Sequence, residues 1–244
     1  MKKLIIVIFF LMGFMGFSPA KEKPLSKTLT IKQQKLIIIS ALTAKGDLIP
    51  LKKQLAAGLQ AGLTVNEIKE TLVHLYAYCG FPRSIRGLQT FMVVLDERKK
   101  QGIKENLGKQ ATPIHDDRSK FERGKSVLET LTGASQDGPK AGYAAFSPEI
   151  EIFLKEHLFA DIFERDILSF ADRELITVSV LSSIGGVEPM LNSHFGICLN
   201  LGITPEQLRQ FITIIGNEIG RKDAEKANVV LTAIVNSKKQ IPNK

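Results

Sequence analysis

The chain has 244 residues, of which 44% are hydrophobic and 24% are charged, a balance typical of one or two globular domains with sizeable cores. The formal net charge of +8 is spread over isolated lysine pairs, and no basic stretch is interleaved with aromatic residues. This distribution argues against nucleic-acid binding and favours solvated helix faces.

The first twenty residues differ from the rest of the chain. Lys2 and Lys3 precede an apolar run from 4 to 17, and small residues at Ser18 and Ala20 follow it. This pattern predicts a signal peptide over 1–20, and hence a secreted or periplasmic protein that leaves the membrane after cleavage. The alternative is an uncleaved anchor, for which the apolar run is shorter than the roughly 18–20 residues of a spanning helix.

The segment 21–105 has the pattern of a helical unit. Thr64 and Glu67 form a capping-box motif, and Pro82 interrupts the helical pattern behind Gly80. Spacing and breakers together predict four helices, over 31–44, 51–61, 65–79 and 83–100. A polar linker with a lead-in helix over 120–131 is predicted for 106–145.

A second helical unit is predicted for 146–244. Gly185-Gly186 is a natural stop after its second helix, and Thr204 and Gln207 repeat the capping-box spacing. The predicted helices cover 149–160, 172–184, 189–201, 205–219 and 223–235. Because no segment alternates with period two, the predicted fold class is all-α.

The segment 172–204 has a weaker copy at 32–64. The two copies share apolar and helix-terminating residues, which are the positions that a common packing plan requires. The matched pairs are Leu36/Leu175, Ile37/Ile176, Ser40/Ser179, Leu42/Leu181, Gly46/Gly185, Leu51/Leu191, Leu59/Leu199, Gly62/Gly202 and Thr64/Thr204. Such a repeat predicts two units that pack as a pseudo-symmetric bundle.

The second copy contains an acid and an imidazole on neighbouring helices. Antiparallel packing of these helices would bring Glu174 to His194, where a carboxylate fixes the tautomer of the ring and raises its basicity. That pair is suited to general acid–base catalysis. The alternatives are an exposed first-turn acid and a core histidine. The first copy has Lys35 and Gln54 at these places, so it lacks the same proton chemistry.

The first copy holds a different polar set. His74 and Tyr78 are four residues apart and share a helix face, whereas the second copy has Ile214 and Glu218 there. A site could therefore form between the copies, and the alternative is an aromatic core helix. Glu188, at the turn before the second copy's second helix, could cap that helix or line a pocket.

The two cysteines, Cys79 and Cys198, are far apart and belong to no CxxC or Cys/His spacing, so the sequence predicts no metal site. Both lie in apolar helical patterns, where a cysteine is most often a buried small hydrophobe. A disulfide between them, which an exported protein permits, is the alternative.

The stretch from Arg173 to Gln207 resembles the carboxymuconolactone decarboxylase family, which also contains alkyl hydroperoxidase D. HLYAYCGFPRS, from His74 to Ser84, is similar to a second signature of that family. The resemblance covers most of the chain as two tandem copies. It implies alkyl hydroperoxidase D-like helical units that assemble as homo-oligomers around small-molecule sites.

The two branches of that family imply different chemistry. The hydroperoxidase branch uses a Glu and a His, which fall on Glu174 and His194, and two cysteines, which fall on Val187 and Met190. Both thiols are therefore missing, and with them the nucleophile for peroxide.

The decarboxylase branch needs no thiol, metal or organic cofactor, and it is similar to this chain in keeping Glu174, Glu188 and His194. There the imidazole would protonate the carbon from which carbon dioxide leaves. Arg173 and Arg83 are candidate donors to a substrate carboxylate, although each is more typical of a surface charge.

Three hypotheses follow. The leading one is a cofactor-free acid–base enzyme, a lyase or isomerase for a small carboxylated or lactone substrate, with His194 as acid/base. The second is a peroxiredoxin-type antioxidant that uses Cys79 or Cys198, and the third is a non-catalytic binding or scaffold module. The export signal argues against a cytoplasmic catabolic substrate such as the muconolactone itself.

Overall fold

The structure is a computed structural model that describes residues 27–239, with side chains to 237. All its regular structure is helical over that range, which confirms the all-α prediction. The eleven α-helices and one π-helical segment there are α1 Ile31–Lys45, α2 Leu48–Gln60, α3 Val65–His74, α4 Tyr76–Lys100, α5 Lys120–Thr132, α6 Tyr143–Phe146, α7 Pro148–Phe153, the π-helical segment Leu154–Ile162, α8 Phe170–Ile184, α9 Glu188–Asn200, α10 Pro205–Glu218 and α11 Arg221–Lys239.

Helix starts follow local capping chemistry. The Thr64 and Thr204 hydroxyls accept from the backbone N–H groups of Glu67 and Gln207, whose side chains return the bond, so both predicted capping boxes are present. Thr30 and Ser169 occupy matching N-cap positions before α1 and α8. The two units therefore begin their helices with the same devices.

Several predicted boundaries differ from the structure. The helix predicted over 65–79 is divided, since α3 ends at His74 and α4 begins at Tyr76. The helix expected over 149–160 is α7 followed by the π-helical segment. In that segment the backbone hydrogen bonds join residues five apart, whereas an α-helix joins residues four apart. The break at Gly80 is a kink inside α4, where Gly80 adopts φ 78° and ψ 161°. A glycine tolerates that backbone conformation, and Pro82 then re-enters the helix at a position where no backbone donor is needed.

The centre of the molecule is the pair α1 and α8, which pack against each other. Both are buried over most of their length and contribute to two hydrophobic clusters, one dominated by each repeat. α2 packs on α1 as α9 packs on α8, while α10 reaches α1 and α3 reaches α8. This reciprocal exchange is the pseudo-symmetric helical bundle that the repeat predicts.

A third hydrophobic cluster joins α5, the π-helical segment and α9. The contact between α5 and the π-helical segment is very close at Gly124, where an added Cβ would lie 1.8 Å from the Lys155 carbonyl oxygen. This layer covers one side of α9 and forms much of the site described below.

The boundaries drawn at 20, 105 and 145 stay predictions. The proposed signal peptide lies outside the described residues. Between 27 and 239, no helix is long and apolar enough to cross a membrane.

Candidate active site at the α8–α9 pair

The two residues singled out in the second repeat are in contact. Glu174 lies in the second turn of α8 and is fully buried, and His194 lies midway along α9 with 15% of its side chain exposed. The His194 Nδ1 and Glu174 Oε2 atoms are 2.7 Å apart. Because an ionised carboxylate only accepts, Nδ1 carries the proton and Nε2 is left as the basic nitrogen.

The turn between α8 and α9 makes this contact. Gly185 and Gly186 both have positive φ, 68° and 73°, so the chain reverses tightly and α9 packs along α8. The alternative reading of Glu174 as an exposed first-turn acid is wrong. Glu188 accepts a hydrogen bond from the Gly186 N–H at 3.3 Å, within the turn and ahead of the N-cap. It therefore neither caps α9 nor lines the cavity, the two roles predicted for it.

His194 lies in the wall of a cavity of about 650 Å³, together with Tyr78 and Ser193. Glu174 is behind the histidine and is not part of the wall. The rest of the lining is mainly apolar and includes Leu128, Leu154, Leu158, Phe159, Leu181 and Ile197. The structure thus joins a buried acid, a partly exposed imidazole and a cavity of ligand size.

The first repeat supplies a second histidine to the same region. His74 is fully buried, and its Nε2 lies 3.0 Å from the Thr177 hydroxyl of α8. Its Nδ1 lies 3.3 Å from Nη1 of Arg173. Since a guanidinium only donates, Nδ1 accepts and Nε2–H donates to Thr177. Burial lowers the pKa of His74, and the charges of Arg173 and His194 lower it further, so the ring is neutral.

Tyr78 connects the two histidines. Its ring centroid lies 5.3 Å from that of His74 and 5.9 Å from that of His194, which it meets edge-on. Burial raises the pKa of the Tyr78 hydroxyl and the Glu174 carboxylate raises it further, so the hydroxyl keeps its proton. Neither this hydroxyl nor Oε1 of Glu174 has a hydrogen-bond partner of good geometry within the described chain, although Thr177 lies close enough to lower the pKa of the Tyr78 hydroxyl.

Arg173 is not the surface charge that the sequence suggested. It is fully buried, and its Nη2 donates to Oε1 of Glu70 at 2.7 Å and to the Arg165 carbonyl at 2.6 Å. It is absent from the cavity wall, so it is not placed to hold a substrate carboxylate. Arg83 is exposed, as expected, and is also outside the cavity. Glu70 was not predicted from the sequence, although its four-residue spacing from His74 was a usable signal.

Neither cysteine is placed as a redox nucleophile. Cys79 and Cys198 are both free, so the disulfide is not formed, and neither lines the cavity. Burial raises the pKa of the Cys79 thiol to about 11 and that of Cys198 well above its usual range. Within residues 27–239, no His/Cys/Asp/Glu cluster is arranged to hold a metal ion.

The corresponding place in the other half of the bundle has the same geometry with different chemistry. Lys35 Nζ donates to Oε1 of Gln54 at 2.9 Å, where the second repeat has Glu174 and His194. Gln54 in turn lies 3.4 Å from Glu218, which occupies the position of Tyr78. The pseudo-symmetry is therefore kept in the contacts, while the acid–base pair is present once in the described chain.

The site is that of a helical tandem-repeat protein with a buried acid behind a cavity histidine. The model of the carboxymuconolactone decarboxylase family matches residues 14–91 and 148–217, and the chain belongs to this family. The two matches confirm the internal repeat. The first begins inside the proposed signal peptide.

One relative of known sequence is the uncharacterized protein MJ1511 of Methanocaldococcus jannaschii. It is 27% identical over 78 residues, which are 32% of this chain and 73% of that protein.

Proposed function

We propose that this protein is an enzyme that carries out acid–base chemistry on a small carboxylated or lactone substrate, with His194 as the general acid/base. The single observation that supports this most directly is the 2.7 Å contact from His194 Nδ1 to buried Glu174, in a histidine that faces the cavity. This contact orients the ring and leaves Nε2 as the nitrogen available to a substrate.

The proton transfer uses the charge of Glu174. When Nε2 takes a proton from a carbon acid, the imidazolium that forms lies next to a carboxylate inside the protein, where the attraction is stronger than in water. The ring then returns the proton to a different atom of the substrate, which is an isomerisation.

For a decarboxylation, the electrons of the breaking C–C bond move toward a substrate carbonyl and carbon dioxide leaves. The enolate carbon then takes back from the imidazolium the proton that Nε2 had removed from the substrate's carboxylic acid before carbon dioxide left. The developing enolate oxygen needs a donor, and the candidate is Tyr78, a residue of the cavity wall whose hydroxyl oxygen is itself buried and would have to turn toward the substrate.

The antioxidant alternative has less support. Its thiol positions hold Val187 and Met190, and the raised thiol pKa values of Cys79 and Cys198 leave little thiolate at neutral pH. A purely structural role for His194 does not account for its place in a cavity wall.

We also propose that the chain is exported and works as a homo-oligomer. The composition of residues 1–20 supports export. An exposed apolar face on α4, formed by Phe81, Ile85 and Met92, supports association between copies.

The experiment compares wild type with His194→Gln on a panel of γ-lactone carboxylic acids and β-keto acids. Carbon dioxide release above the uncatalysed rate and deuterium exchange into the substrate from D₂O are both followed. We expect the variant to stay folded and to lose both signals, while His115→Gln, at an exposed linker histidine, keeps them. Equal rates in wild type and His194→Gln, or no turnover of the panel by wild type, would count against the proposal.

A further inference from the structure

The cavity contains a buried lysine that the proposed proton chemistry does not use. Lys155 lines the cavity with 5% of its side chain exposed. Its Nζ lies 2.6 Å from Oε1 of Glu151 and 4.6 Å from the centre of the Phe121 ring. Burying an ammonium is costly unless it is paired, and the partners that the chain supplies here are the Glu151 carboxylate and the Phe121 ring.

The fold holds Lys155 in place through its backbone. The residue lies in the first turn of the π-helical segment, a geometry found frequently at functional sites. Its carbonyl oxygen lies so close to α5 that only glycine fits at position 124. The lysine therefore projects from a rigid base.

The charges around Lys155 do not cancel. Glu151 bridges two lysines, since its Oε2 lies 2.7 Å from Nζ of Lys140 while its Oε1 binds Lys155. These two cations and one anion leave a charge of +1, and Asp137, which also interacts with Lys155, is paired with Lys125. An ammonium has three N–H donors, and Lys155 makes one hydrogen bond within the described chain. Charge and free donors both match one additional carboxylate.

The remaining wall selects an apolar molecule. Aliphatic and aromatic side chains dominate it, and Tyr143, Ile150 and Met190 extend this lining to exposed positions. A second carboxylate against the apolar part of this wall would lose its hydration without a partner. An alkyl body would instead gain free energy from burial.

We propose that the cavity binds an amphiphilic monocarboxylic acid, with its carboxylate on Lys155 and its apolar body along the wall that leads to His194. This inference deepens the proposed function and rests on it, because it takes the His194 cavity to be the substrate site.

The first test measures the binding of n-alkanoates from butanoate to decanoate to the wild-type protein by calorimetry. Each methylene should tighten binding by about threefold to fourfold, as expected for about 0.8 kcal/mol per buried CH₂. Sebacate, which carries a second carboxylate at the far end, should bind more weakly than decanoate. An affinity that does not change with chain length, or sebacate binding as tightly as decanoate, would overturn the inference.

The second test replaces the lysine. Lys155→Met should weaken decanoate binding about 10- to 100-fold, the size expected for a charged hydrogen bond, and should leave decanol binding unchanged. Lys52→Met is the matched control, because Lys52 pairs with Glu97 on a different face. Decanoate binding equal to wild type in folded Lys155→Met would contradict the assignment. If that variant does not fold, the binding of the alkanoate series and of sebacate to the wild-type protein tests the proposal without it.

The two proposals fail in different ways. Chain-length-dependent binding, with no turnover of any acid, supports the ligand assignment and contradicts catalysis. Turnover of polar lactone acids that depends on His194, with no alkanoate binding, supports catalysis and contradicts the ligand assignment.

Discussion

The His74 ring of the first repeat donates through Nε2 to the Thr177 hydroxyl of the second repeat, at 3.0 Å in the buried centre of the bundle. Thr177 in turn donates to the Arg173 carbonyl, and Arg173 donates to Nδ1 of His74. Within this cycle each residue donates one hydrogen bond and accepts one, so the tautomer of His74 is fixed. The candidate site therefore depends on both repeats, although the acid–base pair itself comes from one.

Replacing Glu174 with Gln should lower kcat by about 100-fold or more, because the amide cannot stabilise the imidazolium of His194 by charge. The change keeps shape and leaves the cavity wall intact, so KM should move little. Steady-state kinetics on any substrate turned over by wild type measures both constants. Glu188→Gln is the control, since Glu188 binds only at the turn, and equal losses in the two variants would contradict the assignment.

Tyr78→Phe should lower kcat without lowering stability. Its hydroxyl is buried without a hydrogen bond, and removing such a group is close to neutral or stabilising. Loss of an enolate donor, by contrast, costs about 10²-fold in kcat. Thermal unfolding and steady-state kinetics of Tyr78→Phe separate the effect on stability from the effect on catalysis. Tyr76→Phe is the control. A lowered Tm with an unchanged kcat would refute the role of Tyr78 as enolate donor.

Stability should fall as the pH drops below about 6.5, the unfolded pKa of histidine. Burial lowers the pKa of His74 in the folded protein, so between the two values the unfolded chain binds a proton that the folded protein does not. In that window the free energy of unfolding rises with pH, and the stability is fully present above it.

Urea unfolding of wild type and His74→Gln between pH 5 and 7.5 measures this dependence. The variant should show a smaller slope, whereas His115→Gln, at an exposed position, should keep the wild-type slope. Parallel curves for wild type and His74→Gln would show that another group is responsible.

Arg173→Met should lower the free energy of unfolding by about 3–5 kcal/mol, because it removes one partner of a buried ion pair. In this variant Glu70 would still be paired with Arg165, at 2.9 Å. We therefore expect a loss of stability toward the lower end of that range. Arg83→Met, at an exposed arginine, should change stability by less than about 0.5 kcal/mol. Chemical denaturation gives both values, and a difference between the variants of less than 1 kcal/mol would be inconsistent with this view of Arg173.

Gly124→Ala should destabilise the protein by about 1–3 kcal/mol, since the new methyl must separate α5 from the π-helical segment. It should also weaken decanoate binding, because Lys155 is carried by that segment. Gly138→Ala is the matched control, as an added Cβ there meets no atom within 4 Å. Urea midpoints that agree between the two variants would show that the close approach is not required.

The Glu174–His194 contact could be predicted from the sequence because it joins neighbouring helices across a two-glycine turn. The two residues are 20 positions apart in the sequence. Alignment with the first repeat also showed which positions of the two helices correspond. The Glu70–Arg173 pair spans 103 residues. A single arginine in a helix start gives no sign of an acid that another repeat will place beside it, so its burial was not predicted. Lys155 was missed for a related reason, since an isolated lysine in an apolar stretch is compatible with a solvent-facing position.

The sequence by itself determined most of the helices, the two capping boxes, the duplication and which repeat keeps the acid–base pair, because all of these depend on residues close together in the chain. The tertiary structure alone decided that His74 and Tyr78 join that pair, that Arg173 is buried, and that Lys155 faces a cavity. These facts depend on how α3, α5 and the π-helical segment pack around α8 and α9. Such packing is set by the total burial of apolar side chains rather than by any local signal.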